Sequence, residues 1–314
     1  MNTSVPTILT IGSVAWDEVV YLEGPLRTGS HNAGRGREMR IGGGAANTAM
    51  ALAAMASARP GTDPCLESVV ISAVGSDAEG KALLTALGER GVCVDHIDHR
   101  AEHTTHSLVL LEEKGERTVI NLARAPVTLP PDLADIPAQC FYVRSADPAL
   151  TPVLATRVEH GGLVVAHIPP VTEGFRPAQV LVGSASDLGL SFCADPFSAG
   201  KRIGGRYLEW VVVTFGAAGA TAYSARTGTV LHEPAPLADA KDTTGAGDVF
   251  AAGLAFALAM GKEMEIALGC AVRWGSASVG YRGTVPTAAF SRDISQAECR
   301  GEDLNLHGVT PTST

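Results

Sequence analysis

The stretch Lys241-Asp-Thr-Thr-Gly-Ala-Gly-Asp-Val-Phe250 decides more about the fold than any other part of the chain. Within it, Gly245, Ala246 and Gly247 can direct successive backbone amides at one anion, because glycine accepts the backbone angles that such a turn requires. The apolar, alanine-rich run over 249–260 has the composition of a helix. The unpaired amides and the positive dipole end of its first turn would face the same anion.

Asp248 falls in the first turn of this predicted helix and places a carboxylate beside a pocket for negative charge. A loop that only binds phosphate does not need a carboxylate, whereas an enzyme that transfers a phosphoryl group needs a base for the attacking hydroxyl. The alternative is an ordinary turn before a helix, where the dipole favours an acidic residue. The combination of loop and carboxylate favours a kinase active site.

The run from Asp242 to Asp248 closely resembles the C-terminal signature of the ribokinase-like carbohydrate kinases, also called the PfkB family. The resemblance extends from Gly12 to Pro286. It implies an α/β fold with a mostly parallel central sheet flanked by helices, together with a small β lid. It also implies ATP-dependent transfer of the γ-phosphoryl group to a primary hydroxyl of a small sugar or sugar derivative, with Asp248 as the general base.

The same resemblance implies further roles for the loop. The amides of Gly245, Ala246 and Gly247 would stabilise charge on the transferred phosphoryl group, and Mg²⁺ would bridge the ATP phosphates. In many relatives a monovalent cation such as K⁺ lies behind the loop, which here corresponds to the neighbourhood of Asp242 and Thr244.

A second glycine-rich segment, Ile41-Gly-Gly-Gly-Ala-Ala-Asn47, runs directly into a predicted helix over 45–58. Three glycines let a ligand approach the backbone, and the Asn47 amide can both donate and accept hydrogen bonds. The alternative is a flexible hinge with Asn47 on the helix surface. The segment resembles the family signature Gly-Gly-x-x-x-Asn, which implies that Gly43 and Asn47 contact the sugar. Asp17 matches the family's sugar-binding aspartate, the alternative being a solvated loop residue.

Residues 211–219 form a predicted buried strand followed by a glycine-rich turn, and they resemble the family's nucleotide-binding segment. The resemblance implies that Thr214, Gly216 and Gly219 line the ATP phosphates and ribose. The alternative is a plain strand, turn and strand.

One segment departs from the family pattern. Relatives usually carry Asn-x-x-Glu after a strand in the middle of the chain, and Ser184-Ala-Ser-Asp187 stands at the corresponding place. We therefore expect Ser184 near the nucleotide and Asp187, whose side chain is one methylene shorter than that of Glu, near the magnesium.

Residues 75–82 superficially match a phosphate-binding P-loop. Ala82 stands where that loop requires Ser or Thr, and the carboxylates of Asp77 and Glu79 would repel phosphates. In the family a Gly-x-Asp-x-x-Gly segment forms a structural turn near the sugar pocket, and we expect that role here.

Arg144 ends a predicted strand over 141–143, and ligands bind at the carboxyl ends of parallel strands. A guanidinium there suits an anionic substituent of the substrate. The alternatives are a salt bridge to Asp147 and a solvated charge. If Arg144 binds the substrate, the sugar derivative is an acidic one.

Apolar strands alternate with Ala- and Leu-rich helices along the chain, which predicts one domain over 1–314 built on a parallel sheet. Two half-polar segments, 14–41 and 105–123, interrupt the alternation and are predicted to form the lid. The tail over 293–314 is predicted to be poorly ordered. The predicted strands lie at 7–11, 68–74, 141–143, 163–167, 180–182 and 210–214, and the predicted helices include 45–58 and 81–90.

Composition narrows the function further. The 314 residues are 46% hydrophobic and 18% charged, with a net charge of −9 and scattered basic residues, so neither nucleic acid nor membrane is an expected partner. No signal peptide is recognised, and the six cysteines lie more than twenty residues apart, so free thiols and a cytoplasmic location are expected. The histidines at 96, 99, 103 and 106 are not expected to bind metal.

Two other functions remain open. A nucleoside kinase shares the fold and signatures, although binding of a nucleobase favours aromatic contacts and the chain is only 5% aromatic. A non-catalytic sugar-binding sensor is the other, but a sensor has no use for the base Asp248. Lid strands in this family often pair between subunits, so we expect a homodimer.

Overall fold

The computed structural model describes residues 5–56, 66–113, 116–168, 175–280 and 283. The tail over 293–314 lies outside the described residues.

The described residues form fourteen strands and seven helices. The strands are β1 (Thr7–Ile11), β2 (Ala15–Leu22), β3 (Gly34–Gly42), β4 (Glu67–Gly75), β5 (Val92–Cys93), β6 (Ile97–Ala101), β7 (His106–Leu111), β8 (Arg117–Ala123), β9 (Cys140–Val143), β10 (Leu163–His167), β11 (Val180–Ser184), β12 (Trp210–Thr214), β13 (Ala220–Ser224) and β14 (Val230–Glu233). The helices are α1 (Gly44–Ala56), α2 (Ala78–Gly88), α3 (Leu150–Glu159), α4 (Ala185–Ala194), α5 (Pro196–Gly204), α6 (Ala246–Ala259) and α7 (Met264–Ser278).

The central sheet has the strand order β14-β13-β12-β11-β10-β9-β1-β4-β5, and β6 pairs with β4. All its pairings are parallel except β12 with β13 and β13 with β14. The expected mostly parallel sheet is therefore confirmed. Because parallel strands end at one edge, the carboxyl ends of β1, β9, β10, β11 and β12 lie together, and the functional site is expected there.

Helices cover both faces of the central sheet. Successive side chains of each strand point to opposite faces, so they pack into two different cores. Ile8 packs into a core with helices α1, α6 and α7, whereas its neighbour Leu9 packs into a core with α3, α4 and α5. In the first core, the fully buried Trp274 stacks on Phe256 with ring centroids 5.5 Å apart. The first core fixes α6, and with it the residues at its N-terminus, against the sheet.

A second sheet has the strand order β3-β2-β7-β8. Strands β2 and β7 are parallel, and the outer pairs are antiparallel. Both half-polar segments of the sequence contribute two strands each to this small sheet. Its outer strands β3 and β8 expose most of their residues, which explains the half-polar composition.

Other sequence expectations concern cysteines, metals and membranes. The four described cysteines, 93, 140, 193 and 270, are free thiols. Across the described ranges, no group of three or more His, Cys, Asp or Glu side chains is arranged to hold a metal ion. No helix in the same ranges is long and apolar enough to cross a membrane.

Candidate active site

The N-terminus of α6 presents backbone amides beside a tight turn. Gly245 precedes the helix with a left-handed φ of 78°, a conformation that favours glycine. The Ala246 amide closes the turn onto the Thr243 carbonyl at 3.3 Å. The amides of Gly245 and Gly247 have no acceptor among the described residues. Two amides and the positive end of the helix dipole are therefore available to an anion.

The Asp248 carboxylate lies in the first turn of α6, with its side chain 13% exposed. Asn47 Nδ2 donates to its Oδ2 at 2.9 Å, and Arg144 Nε donates to its Oδ1 at 3.3 Å. Each carboxylate oxygen therefore has one donor and keeps lone-pair capacity for another. The carboxylate is oriented and still able to accept a proton from a bound hydroxyl.

Asn47 lies on α1 and is 6% exposed. Its amide orientation is fixed, because the carboxylate of Asp248 can only accept and Nδ2 must face it. Asn47 Oδ1 is then a buried acceptor with no hydrogen-bond partner in the described structure. A buried unpaired acceptor is costly unless a ligand donates to it, so Oδ1 is suited to a substrate hydroxyl.

The glycines before α1 bring backbone and side chains close together. A Cβ at Gly42 would overlap the carboxylate of Asp17, so Asp17 packs directly over this backbone. Gly43 has a φ of 90°, and a Cβ there would overlap the carbonyl of Ser13. The flexible-hinge interpretation does not account for this packing.

Asp17 lies on β2 and is half-buried. Burial raises the pKa of its carboxyl above the usual 3.8, against the opposing effects of a hydrogen bond with Ser107 and the nearby charges of His106, Arg117 and Arg40. A partly desolvated carboxylate gains more from hydroxyl donors than an exposed one does, so the position suits a polyol.

Arg144 follows β9 and points into the same site. Besides its contact with Asp248, its Nη1 lies 3.1 Å from His167 Nδ1. The Asp147 Oδ1 accepts from the Ala149 amide, and no ion pair joins Asp147 to Arg144 among the described contacts. The expected alternative of a salt bridge to Asp147 is therefore wrong, because the neighbouring carboxylate of Asp248 takes that place.

His167, at the end of β10, was not identified from the sequence. Burial and the positive charges of Arg144 and Arg176 lower its pKa to about 3. Since a guanidinium can only donate, Nδ1 of the neutral ring accepts from Arg144. The position at the carboxyl end of a predicted parallel strand was the only sequence signal for it.

Arg40 was also missed. It ends the exposed part of β3, and its Nη1 bonds Asp242 Oδ2 at 3.1 Å while its Nη2 bonds the Tyr21 hydroxyl at 2.7 Å. Asp242 Oδ1 accepts from the Thr244 amide at 2.9 Å, and Oδ2 also accepts from the Gly283 amide at 3.0 Å. Arg40 therefore joins the small sheet to the segment before α6, and it already supplies a positive charge to Asp242.

Ser184 and Thr214 pair in register at the ends of β11 and β12. The Ser184 hydroxyl lies 2.8 Å from Ser186 Oγ, which in turn donates to Asp187 Oδ1 at 3.3 Å. Burial lowers the pKa of Arg144, but the charges of Asp248, Tyr142 and, with the smallest effect, the exposed Asp187 raise it. The Ser184 hydroxyl and the Asp187 carboxylate therefore lie at the same edge of the sheet as Arg144.

Gly216 and Gly219 lie in the turn between β12 and the antiparallel β13. Gly219 has a φ of 91°, and a Cβ there would overlap the Glu233 carbonyl. Packing and backbone conformation alone therefore explain why residue 219 is glycine. Gly216 has open space around it and lies beside the carboxyl end of β12.

The segment over 75–82 is a structural turn in the folded chain. Asp77 Oδ1 accepts from the Gly80 amide at 2.7 Å, which caps α2. Its carboxylate also accepts from the Thr104 amide and hydroxyl, at 2.9 and 2.6 Å. With both oxygens engaged, Asp77 stabilises the junction between β4 and α2.

Comparison with known proteins identifies the family of the chain. The model of the pfkB family carbohydrate kinases matches residues 5–147 and 176–289. The ribokinase of Arabidopsis thaliana is 24% identical over 94% of this chain and 81% of its own length.

Two solved structures illustrate the fold. That of Arabidopsis thaliana ribokinase complexed with ribose and ATP has a TM-score of 0.75 at 21% identity, covering 93% of this chain and 99% of that chain. That of adenosine kinase from Sinorhizobium meliloti has a TM-score of 0.73 at 18% identity, covering 94% and 100%. Since the family model matches well over half of the residues, the chain belongs to the pfkB family of carbohydrate kinases.

Proposed function

We propose that this protein transfers the γ-phosphoryl group of ATP to a primary hydroxyl of a small sugar. The observation that carries the proposal is the 2.9 Å hydrogen bond between Asn47 Nδ2 and Asp248 Oδ2. It joins two glycine-rich motifs that lie about 200 residues apart, so a carboxylate base, an unpaired buried acceptor and open helix amides meet at one point.

In the proposed reaction a sugar hydroxyl lies against Asp248, and Asn47 Oδ1 and Asp17 accept from other hydroxyls. Asp248 takes the proton as the hydroxyl oxygen forms its bond to the γ-phosphorus. The bond from the γ-phosphorus to the bridging oxygen breaks, and ADP leaves. The amides of Gly245 and Gly247 stabilise the negative charge on the transferred group, and the helix dipole of α6 adds to this effect.

ATP is the proposed donor because the solved Arabidopsis thaliana relative is a complex with ribose and ATP. The phosphates would extend from the α6 amides toward the ends of β11 and β12, where Ser184, Thr214 and Gly216 lie. Asp187 is the residue proposed to hold Mg²⁺, since its exposed carboxylate pairs with no cation among the described residues and oxygen ligands suit this ion. Bound Mg²⁺ would neutralise charge on the phosphates.

The sugar is the open part of the proposal. An acidic derivative stays within it, because Arg144 Nη2 has no partner among the described residues and the side chain is 32% exposed. Because Arg144 already pairs with Asp248, its charge does not require an anionic group in the substrate. Neutral sugars are therefore the first candidates. A nucleoside is the second candidate, favoured by the likeness to adenosine kinase.

The experiment is a coupled assay of ADP release across ribose, fructose, ribose 1-phosphate, gluconate and adenosine. Turnover of at least one substrate with stoichiometric formation of its phosphate ester supports the proposal. Sugar binding without turnover of any member would instead indicate a sensor. Turnover of adenosine alone would indicate a nucleoside kinase.

We also propose that the small sheet closes over the sugar as a lid and pairs with a second copy of the chain. Apolar side chains on its two outer strands support this, since Met39, Val119, Ile120 and Leu122 are each 44–58% exposed. Ile120→Glu combined with Leu122→Glu should shift the molar mass in light scattering from dimer to monomer. A monomeric wild-type protein would contradict the dimer. The free cysteines support a cytoplasmic location.

A further inference from the structure

We propose that Arg144 is a positioning residue for the Asp248 carboxylate, and that His167 and the missing side chain at Gly44 hold Arg144 in place. The inference rests on the proposed function, because it concerns the base of the phosphoryl transfer. It assigns the Nε and Nη1 contacts of Arg144 to the positioning of the base, and leaves only Nη2 for a substrate.

The geometry of the guanidinium supports this role. The group is planar, with its donors in a fixed fork, so two contacts from different nitrogens fix both its position and its plane. Nε donates to Asp248 Oδ1 at 3.3 Å, and Nη1 donates to His167 Nδ1 at 3.1 Å. Asn47 holds the other oxygen of Asp248. The carboxylate is thus held at both oxygens, and each oxygen keeps lone-pair capacity for a further donor.

His167 acts as the outer anchor. A protonated imidazole could not accept from Arg144, so the contact requires the neutral ring. The ring stays neutral at neutral pH, because burial and the charges of Arg144 and Arg176 lower its pKa to about 3. An uncharged acceptor holds the guanidinium without competing for it as a second carboxylate would.

Gly44 provides the space. It is the first residue of α1 and has no positive φ, so its backbone does not require glycine. A Cβ at this position would lie 2.7 Å from both Cγ and Nε of Arg144, which real contacts essentially never show. Any side chain at residue 44 must therefore displace Arg144 from Asp248. The glycine is explained by the guanidinium and not by helix formation, for which alanine is better.

The test measures kcat and KM separately, with ATP and the most active member of the sugar panel. We expect Arg144→Ala to lower kcat by on the order of 10²-fold, with KM for ATP nearly unchanged, because a misplaced base costs about that much. Added guanidinium chloride should restore part of kcat. Gly44→Ala and His167→Leu should lower kcat in the same way, whereas His167→Asn, which keeps an acceptor, should retain most of it.

Arg206→Gln is the matched control, since Arg206 pairs with Glu159 on the surface and should leave both parameters unchanged. A higher KM for the sugar with unchanged kcat in Arg144→Ala would make Arg144 a substrate contact and overturn the proposal. The proposal would also be overturned if the Arg144→Ala variant had a lower melting temperature and guanidinium chloride did not restore its kcat. A wild-type enzyme that turns over no substrate would overturn the proposed function and this inference together.

Discussion

Among single residues, Asp248 gives the most specific prediction, which is the effect of its substitution on kcat. Asp248→Asn keeps the shape of the side chain, but the amide cannot take up the hydroxyl proton. We expect kcat to fall by on the order of 10²–10⁴, the usual contribution of a general base. Sugar affinity measured by calorimetry should change only a few-fold. Asp239→Asn, an exposed residue before the loop, is the control. Near-normal kcat in Asp248→Asn would remove Asp248 from the mechanism.

Asp17 is expected to contribute to sugar binding and not to ATP binding. Its half-buried carboxylate can accept from two hydroxyls, and deleting it leaves both poorly paired. We expect Asp17→Ala to weaken sugar binding by about 1.5–3 kcal/mol, the range for hydrogen bonds to charged groups. Titration calorimetry with each ligand separately measures this. Glu18→Ala, on the neighbouring surface position of β2, should have no effect. Equal losses for sugar and ATP would indicate a structural role instead.

The residues that could be predicted from the sequence differ in kind from those that could not. Asp248 and Asn47 lie in short glycine-rich motifs that are typical of ligand binding, so the local sequence was enough to identify them as candidate site residues. Arg40 and His167 belong to no motif, and their roles depend on partners 202 and 23 residues away in the chain. A salt bridge from Arg144 to Asp147 was one alternative, and Arg144 pairs with Asp248 instead, because nearness in sequence does not determine the direction of a side chain.

At the scale of elements, buried strands were predicted well and capped helices less well. The bounds 7–11, 163–167 and 210–214 were predicted without error, because apolar β-branched runs end sharply at polar residues. Helix α2 begins at Ala78, three residues before the prediction, since the side chain of Asp77 caps it. The strands β13 and β14 were not predicted; they pair antiparallel at one end of the central sheet, where only β14 is an edge strand and β13 is mostly buried.

The edge formed by β9 and β10 should make the fold sensitive to acid through His167. Its pKa is about 3 in the folded protein and about 6.5 when unfolded. Between these values only the unfolded chain binds the proton, so the free energy of unfolding falls as the pH drops from 6.5 toward 3. At pH 4.5 we expect a loss of about 3 kcal/mol relative to pH 7.5, because the two pH units below 6.5 contribute about 1.4 kcal/mol each.

Urea unfolding at both pH values measures this loss, and His167→Asn should reduce it. His99→Asn, an exposed histidine on β6, should behave like the wild type. The difference between the variants isolates His167 from the carboxylates that also titrate below pH 4.5. Identical pH dependence in both variants would show that His167 is not the responsible group.

At the scale of the whole molecule, the parallel topology assembles the site. The ends of β1, β9 and β10 lie side by side, and α1 and α6 pack against the same face of the sheet. Residues from the first fifth and the last quarter of the chain therefore meet at Asp248. The sequence could predict this edge as the place of binding, but not which side chains face each other across it, since that depends on helix packing.

The small sheet joins this site through Arg40. Its guanidinium contacts Asp242 at 3.1 Å, and the two side chains are only 15% and 10% exposed. Arg40 also pairs with Glu38, so its charge is shared, and it offsets part of the negative charge of Asp242 that a monovalent cation would otherwise neutralise. We therefore expect K⁺ to stimulate the wild-type enzyme weakly, and Arg40→Gln to be stimulated several-fold more strongly than the wild type.

The measurement compares kcat/KM in KCl with that in tetramethylammonium chloride at equal ionic strength, which separates a specific cation from screening. Arg40→Lys keeps a positive charge near Asp242 and should respond weakly to K⁺, like the wild type. Arg37→Gln is the matched control, because Arg37 lies on the same strand but pairs with Glu18 at the surface. Equal K⁺ stimulation of the wild type and Arg40→Gln would mean that Arg40 does not substitute for a cation. Its bonds to Asp242 and Tyr21 would then serve only to hold the small sheet against the loop before α6.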